Sequence, residues 1–294
     1  MFGKEPQVVL DCRNWLGESV VWDERASVLY WVDIHAKSIW RWQPFGSAAP
    51  KTFNLSERPG ALGLRQSVGL VLGLESGFAL FDESTGALDK IAEVETDLPT
   101  TRLNDGRVDP AGRFVCGGMD EAADQKPISA VYVLEPDGSV RRLLDRIYCA
   151  NSTCWSVDGR TFYFANMATR RIDEFDYDIE HGTGSNRRLF ASFEKEAGLP
   201  DGSVVDAEGY LWNAVWGGGK LLRFTPDGEL DREVRLPVTN PTCVTFGGPN
   251  LDVLFVTTAW FGLTEEQRNA EPLAGALFAF TPGVRGRPEN RYAG

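Results

Sequence analysis

Four oxygen-bearing side chains, Glu18, Asn104, Asn151 and Asp201, occupy one station of a recurring apolar pattern. Each stands ten or eleven residues before the pattern's central apolar residue and four before an apolar anchor: Trp22, Val108, Trp155 and Val205. Two further copies carry Gly60 and Thr242 at that station. Two carboxylates and two amide carbonyls are hard oxygen donors, the set that a divalent cation takes. Gathering the two negative charges in a buried ring is unfavourable without such a cation. Taken singly, Asn104-Asp105-Gly106 and Pro200-Asp201-Gly202 read as ordinary turns. The shared phase across four copies is what reads as a metal site.

The other reactive residue types narrow the chemistry. Only two histidines occur, His35 and His181, so there is no HExxH motif and little material for a Ser-His-Asp triad. Both lie beside charged or turn residues and read as surface. Cys12, Cys116, Cys149, Cys154 and Cys243 form an odd set without a CxxC, so neither a disulfide framework nor a thiolate zinc site is predicted. They read as reduced core thiols. Gly217-Gly218-Gly219 lies between two strand-like segments with no Lys-Ser/Thr after it, which predicts a tight turn and no phosphate cradle. Carboxylates, amides and a hard ion remain.

The 294 residues hold 30 Lys+Arg and 42 Asp+Glu, a formal charge of −12. A chain this acidic lacks the positive field that nucleic acid binding needs, so no nucleic-acid partner is predicted. No run of about 18 apolar residues predicts a membrane span. The first residues, with Lys4, Glu5 and Pro6, build no signal-peptide core. These features predict a cytoplasmic protein, monomeric, with a small-molecule partner.

The elements that must position the four side chains follow from the repeat. Leu29, Leu70, Phe114, Phe162, Leu211 and Leu254 are equivalent points, spaced 41, 44, 48, 49 and 43 residues apart. Each sits in a short β-forming run, and each run is followed by a second strand-like segment, such as Ile39-Trp40-Arg41-Trp42 or Leu221-Leu222-Arg223-Phe224. Turn signals such as Asp109-Pro110-Ala111-Gly112 and Pro226-Asp227-Gly228 separate them. The longest helical stretch is Thr264 to Ala270, which excludes alternating βαβ folds. Six small antiparallel sheets of this length predict an all-β, six-bladed β-propeller with a central metal-containing channel, one domain over residues 1–294. In a propeller the innermost strands face the axis, so residues at one station form a ring around the channel. Gln7-Val8-Val9-Leu10 is expected to pair with the last blade and close the circle. Two intervals are expanded: Gly118 to Pro127, with Asp120, Glu121 and Asp124, and Trp260 to Pro272, with Phe261. They are either shapers of the channel mouth or tolerated surface insertions.

With the ring in view, the motifs resemble a known family. Leu16-Gly17-Glu18 with Val21-Trp22-Asp23, Arg102-Leu103-Asn104-Asp105-Gly106, Val108-Asp109-Pro110, Gly198-Leu199-Pro200-Asp201-Gly202 and Phe246-Gly247-Gly248-Pro249 are similar to the regucalcin (senescence marker protein), gluconolactonase and lactone-hydrolase family, from about Gly17 to Phe280. The resemblance implies a six-bladed propeller with one divalent ion, and lactone hydrolysis in many members. It implies Glu18, Asn151 and Asp201 as metal ligands, Asp201 also as general base, and Arg102, Asn104 and Glu121 as substrate-contacting residues. Three places depart from the family pattern. Asn151-Ser152 stands where Asn-Gly is common, Ala165-Asn166-Met167 where Ala-Asp-Ser is common, and Cys116-Gly117-Gly118-Met119 where Ala-Gly-Thr-Met is usual. The second predicts a channel one carboxylate poorer.

The resulting expectation is a metal-dependent sugar lactonase, acting on an aldonolactone such as arabinono-, xylono-, galactono- or gluconolactone. The ion is one of calcium, zinc, manganese, magnesium or iron(II). Two alternatives stay open: a non-enzymatic calcium-binding propeller, and a hydrolase of another ester or a phosphotriester.

Overall fold

The computed structural model describes residues 2–294. Six antiparallel sheets follow one another along the chain as a six-bladed β-propeller. Blade 1 runs Gly17–Asp23, Val28–Asp33, Ser38–Trp42 and Lys51–Asn54, in that order from the axis outward. Blades 2 to 5 repeat this order, with innermost strands Pro59–Arg65, Thr101–Val108, Ala150–Trp155 and Leu199–Val205. Blade 6 starts with Pro241–Gly247 and takes its outermost strand from the other end of the chain, Gln7–Leu10, paired antiparallel to Leu277–Phe280. The predicted closure is thus present, and it covers an edge that would otherwise offer unpaired backbone groups.

Strand character tracks position in the blade. The second strands, such as Val28–Asp33, are buried along their whole length because neighbouring blades cover both faces. Outer strands such as Leu230–Arg235 alternate exposed and half-buried residues, the pattern of a sheet with one wet face. Six apolar clusters fill the six seams. Leu62, Leu72 and Val32 join blades 1 and 2; Trp212, Phe246 and Phe278 join blades 5 and 6; Trp22, Trp31 and Phe255 join blades 6 and 1. At the tight turn after blade 3's first strand, Gly112 adopts φ +86°, while Asp109 accepts from the backbone N–H of Ala111 and Arg113.

The two ends of the channel differ. The far end is crossed by the C-terminal segment, where Arg107 pairs with Glu289 at 3.3 Å, Asn290 donates to the Val108 carbonyl and Arg291 pairs with Asp23. Arg291–Tyr292 adds a short parallel strand against Pro59–Arg65. The near end, where the innermost strands begin, carries the candidate site. The expected helix forms at Glu265–Ala270, capped by Thr264 and Gln267 in a reciprocal capping box. Among the described residues no helix is long and apolar enough to cross a membrane.

Removing residues 2–12 deletes the strand Gln7–Leu10 and bares Leu277–Phe280. Val8, Val9 and Leu10 are half-buried, so a loss of about 3 kcal/mol is expected. Chemical denaturation read by tryptophan emission checks this; an unchanged midpoint would show that the closing strand contributes nothing.

Candidate metal centre and channel mouth

All six innermost strands are irregular at the same place. The antiparallel register slips between Glu18 and Val21, Pro59 and Ala61, Leu103 and Asp105, Asn151 and Cys154, Pro200 and Ser203, and Pro241 and Val244. A β-bulge re-aims the residue it carries. These six bulges hold the six residues of the repeat station: Glu18, Gly60, Asn104, Asn151, Asp201 and Thr242. Asn104-Asp105-Gly106 and Pro200-Asp201-Gly202 therefore lie within strands, and the turn reading of each is set aside.

Local chemistry sets each bulge. Ser19 and Ser152, directly after Glu18 and Asn151, both adopt positive φ, +50° and +59°. A Gly would enter that region without strain. Ser152 instead uses its hydroxyl, which donates to the Asp201 carbonyl at 2.6 Å and ties blade 4 to blade 5. Asn213 donates to the same carbonyl at 2.9 Å. Ser19 accepts from the Leu62 N–H at 2.8 Å and ties blade 1 to blade 2. The Asn151-Ser152 departure is thus a hydrogen-bonded inter-blade tie.

Glu18, Asn151 and Asp201 are buried, at 9%, 3% and 4% exposure. The carboxyl groups of Glu18 and Asp201 lie within hydrogen-bonding reach of each other. Burial, then the charge of Asp105, pushes Glu18 up to about 8. Burial, then the charges of Glu18 and Asp105, pushes Asp201 well above the usual carboxylate range. Neither forms an ion pair with Lys or Arg among the described residues. The Asn151 amide nitrogen faces sulfur, 3.5 Å from Met167 Sδ and 3.9 Å from Cys149 Sγ, and its oxygen accepts from Asn104 at 3.3 Å. Two buried, mutually repelling carboxyl groups beside an amide oxygen fit a hard divalent cation, which would supply the missing positive charge. Among the described residues no three His, Cys, Asp or Glu side chains cluster as ligands, so an amide donor is needed to complete this set.

Arg102, Asn104 and Glu121 come together beside this group. Arg102 is 4% exposed and donates to Asn104 Oδ1 at 2.7 Å and to Glu121 Oε1 at 2.9 Å. Asn104 in turn donates to the Ala150 carbonyl at 2.8 Å. Glu121 sits in the first expanded interval, so that insertion reaches the mouth. Burial alone would raise its carboxyl; the hydrogen bond from Arg58 and the charge of Arg102 outweigh burial and hold it low.

Several residues at the mouth have no repeat signal. Arg58 grips Glu121 through two hydrogen bonds of 2.9 and 2.7 Å. Asp105, one residue past the station, accepts from the Thr153 N–H and lends its charge to both acids. His181 is exposed as expected, but His35 is not plain surface: it packs between Trp15 and Phe261 at centroid distances of 4.9 and 4.4 Å. Burial, then the charges of Arg102 and Arg58, lowers its proton affinity. The expectation for Asn166 also changes. Its side-chain oxygen accepts from the Tyr148 N–H at 2.9 Å, as Asp33 accepts from Trp15 and Leu16 in blade 1. Asn166 holds the loop that leads into its blade's first strand, and an amide oxygen performs that task as a carboxylate does.

Residues 16–279 match the family described as SMP-30/Gluconolactonase/LRE-like region. The chain is 38% identical over 293 residues to regucalcin of Danio rerio, covering 98% of each. It superposes on the calcium-binding protein regucalcin of Agrobacterium tumefaciens with a TM-score of 0.92 and 30% identity, over 99% of this chain and 98% of that one. A luciferin-regenerating enzyme matches with a TM-score of 0.92 and 29% identity, over 99% and 100% of the two chains. Agreement over nearly the whole length, in sequence and in structure, means that the chain belongs to the SMP-30/gluconolactonase/LRE-like family.

Proposed function

We propose that the protein is a metal-dependent lactonase that opens an aldonolactone to its hydroxy acid. The observation that carries this reading is the buried, uncompensated pair Glu18 and Asp201 beside the Asn151 amide and the Arg102–Glu121 pair. Family membership supports a lactonase-type or calcium-binding role. Glu18, Asn151 and Asp201 would hold one divalent ion, which supplies Lewis acidity toward a carbonyl and makes water a better nucleophile near neutral pH.

The protein's own groups do the rest. Asp201, ionised beside the ion, takes a proton from the attacking water as the water oxygen bonds to the carbonyl carbon. When the bond from that carbon to the ring oxygen breaks, Asp201 returns the proton to the ring oxygen and the hydroxy acid is complete. Arg102 and Asn104 offer N–H donors to the substrate's hydroxyls or to the developing negative oxygen. The buried setting of the acids excludes bulk water and strengthens each of these contacts.

Arg102→Lys tests the positioning role, because Lys keeps the charge and loses the fork that serves Asn104 and Glu121 together. Its kcat/KM is expected to fall roughly 10- to 100-fold, through KM where Arg102 holds hydroxyls and through kcat where it holds the developing negative oxygen; an unchanged kcat/KM would remove Arg102 from the substrate contacts. The reading as a whole is tested by pH-stat titration of a panel of pentono- and hexonolactones. Acid release from at least one lactone above its spontaneous rate is expected. Metal binding without acid release from any lactone would favour the calcium-binding reading instead.

A further inference from the structure

One buried amide breaks the apolar pattern of the repeat. Asn213 lies on the second strand of blade 5, Leu211–Trp216, and is fully buried. The same station holds Trp31, Leu72, Cys116, Phe164 and Val256 in the other five blades, all apolar and buried. An amide there costs free energy unless each of its polar atoms is paired, and Asn213 Oδ1 has no partner. Packing alone therefore gives no reason for Asn at this place.

The reason lies on its nitrogen. Asn213 Nδ2 donates to the Asp201 carbonyl and to Ser203 Oγ, both at 2.9 Å, and lies 3.1 Å from Ser152 Oγ. Ser203 donates to Ser152 Oγ at 3.1 Å, and Ser152 donates to the same Asp201 carbonyl at 2.6 Å. The amide orientation is forced, because turning it over would set Oδ1 against the Asp201 carbonyl oxygen. Asn213 stands opposite Ser203 in the ladder, and the register slips between Pro200 and Ser203, so the cluster sits directly behind the bulge that carries Asp201. Ser152 reaches that carbonyl from blade 4 and Asn213 from blade 5. Held by both, the peptide plane after Asp201 is fixed, and with it the direction in which the carboxyl group leaves the strand.

We propose that Asn213 is a positioning residue for Asp201: its amide and the Ser152 hydroxyl clamp the Asp201 carbonyl, so that the bulge presents the carboxyl group to the ion in one orientation. This rests on the metal-dependent lactonase reading above and adds a residue that serves it without touching ion or substrate.

The test is calorimetric titration of metal-stripped wild type, Asn213→Leu and Ser152→Gly with calcium and with manganese(II). Leu fills the space and leaves the Asp201 carbonyl its Ser152 donor, whereas Gly enters the φ of +59° without strain and removes only the hydroxyl. For an ion that the wild type binds, each variant is expected to bind about tenfold or more weakly. Thermal melts separate positioning from folding. Asn213→Leu removes the unpaired buried oxygen, so the metal-free variant is expected to melt no lower than the metal-free wild type while its ion affinity falls. At saturating ion, kcat on a lactone is expected to fall about tenfold with KM held, because Arg102, Asn104 and Glu121 stand on blade 3. Affinities within about twofold of wild type in both variants would overturn the positioning role. Where no lactone is hydrolysed, weakened ion binding still supports that role and only the lactonase reading fails. A wild type that binds neither ion overturns the metal centre and the positioning role together.

Discussion

Asp201→Asn is expected to lower lactone hydrolysis by roughly 10²- to 10⁴-fold, the range that a positioned proton acceptor contributes. Asn keeps an oxygen for the ion and keeps the side-chain shape, but it cannot take a proton from water. Glu18→Gln provides the contrast. Glu18 is assigned to ion binding alone, so its loss weakens ion affinity and is offset by raising the metal concentration, whereas the loss in Asp201→Asn persists at saturating metal. The two variants also agree in one respect. Each removes a buried acid that the metal-free fold, unlike the unfolded chain, keeps from ionising, so each metal-free variant is expected to melt above the metal-free wild type near pH 8. Steady-state rates across a metal titration, with thermal melts alongside, check both statements. Full activity in metal-saturated Asp201→Asn would remove the base from the proposal.

The second large effect is a pH-dependent stabilisation by metal. In the metal-free protein Glu18 is raised from 4.5 to about 8, so between those limits the folded chain holds a proton that the unfolded chain has released. Stability therefore falls as pH rises through that window. Asp201 acts in the same direction. His35, with lowered proton affinity, acts oppositely as pH falls below 6.5, so the clean interval is pH 6.5 to 8. Over that interval Glu18 alone accounts for a loss of about 2 kcal/mol, at about 1.4 kcal/mol per pH unit. A bound divalent ion holds both acids ionised and removes the slope. Metal-induced stabilisation at a fixed ion concentration is thus expected to grow from pH 6.5 to pH 8, because binding must displace protons from the acids and the ion's affinity is weaker at the lower pH. His181 titrates with or without the ion and cancels in the difference. Melting curves with chelator and with added ion, taken at several pH values, read this directly; parallel curves would show that the acids do not hold the ion.

The blades were legible in the sequence because each must bury two faces, which forces the same apolar runs and turns to recur at intervals of 41 to 49 residues. The ring was legible for the same reason: a bulge recurs at one station, and the residues on it share a phase. What lay outside the repeat was harder to read. Arg58 and Glu121 meet because long side chains from blades 2 and 3 cross the mouth, and no spacing encodes that reach. Trp15, His35 and Phe261 come from both sides of the seam where the chain's two ends meet, so their contact depends on ring closure. Asn166 was misplaced because a strand-end residue that caps a loop and a channel ligand carry the same side-chain types.

The central claim is that one divalent ion at Glu18, Asn151 and Asp201 makes the protein a lactonase. It is tested most directly by pH-stat measurement of lactone hydrolysis on metal-stripped protein as a divalent ion is added back. The account predicts a rate near the spontaneous one without metal, rising to a plateau at one ion per chain. Full activity in the stripped protein, or none at saturating ion across the panel of lactones, would contradict it.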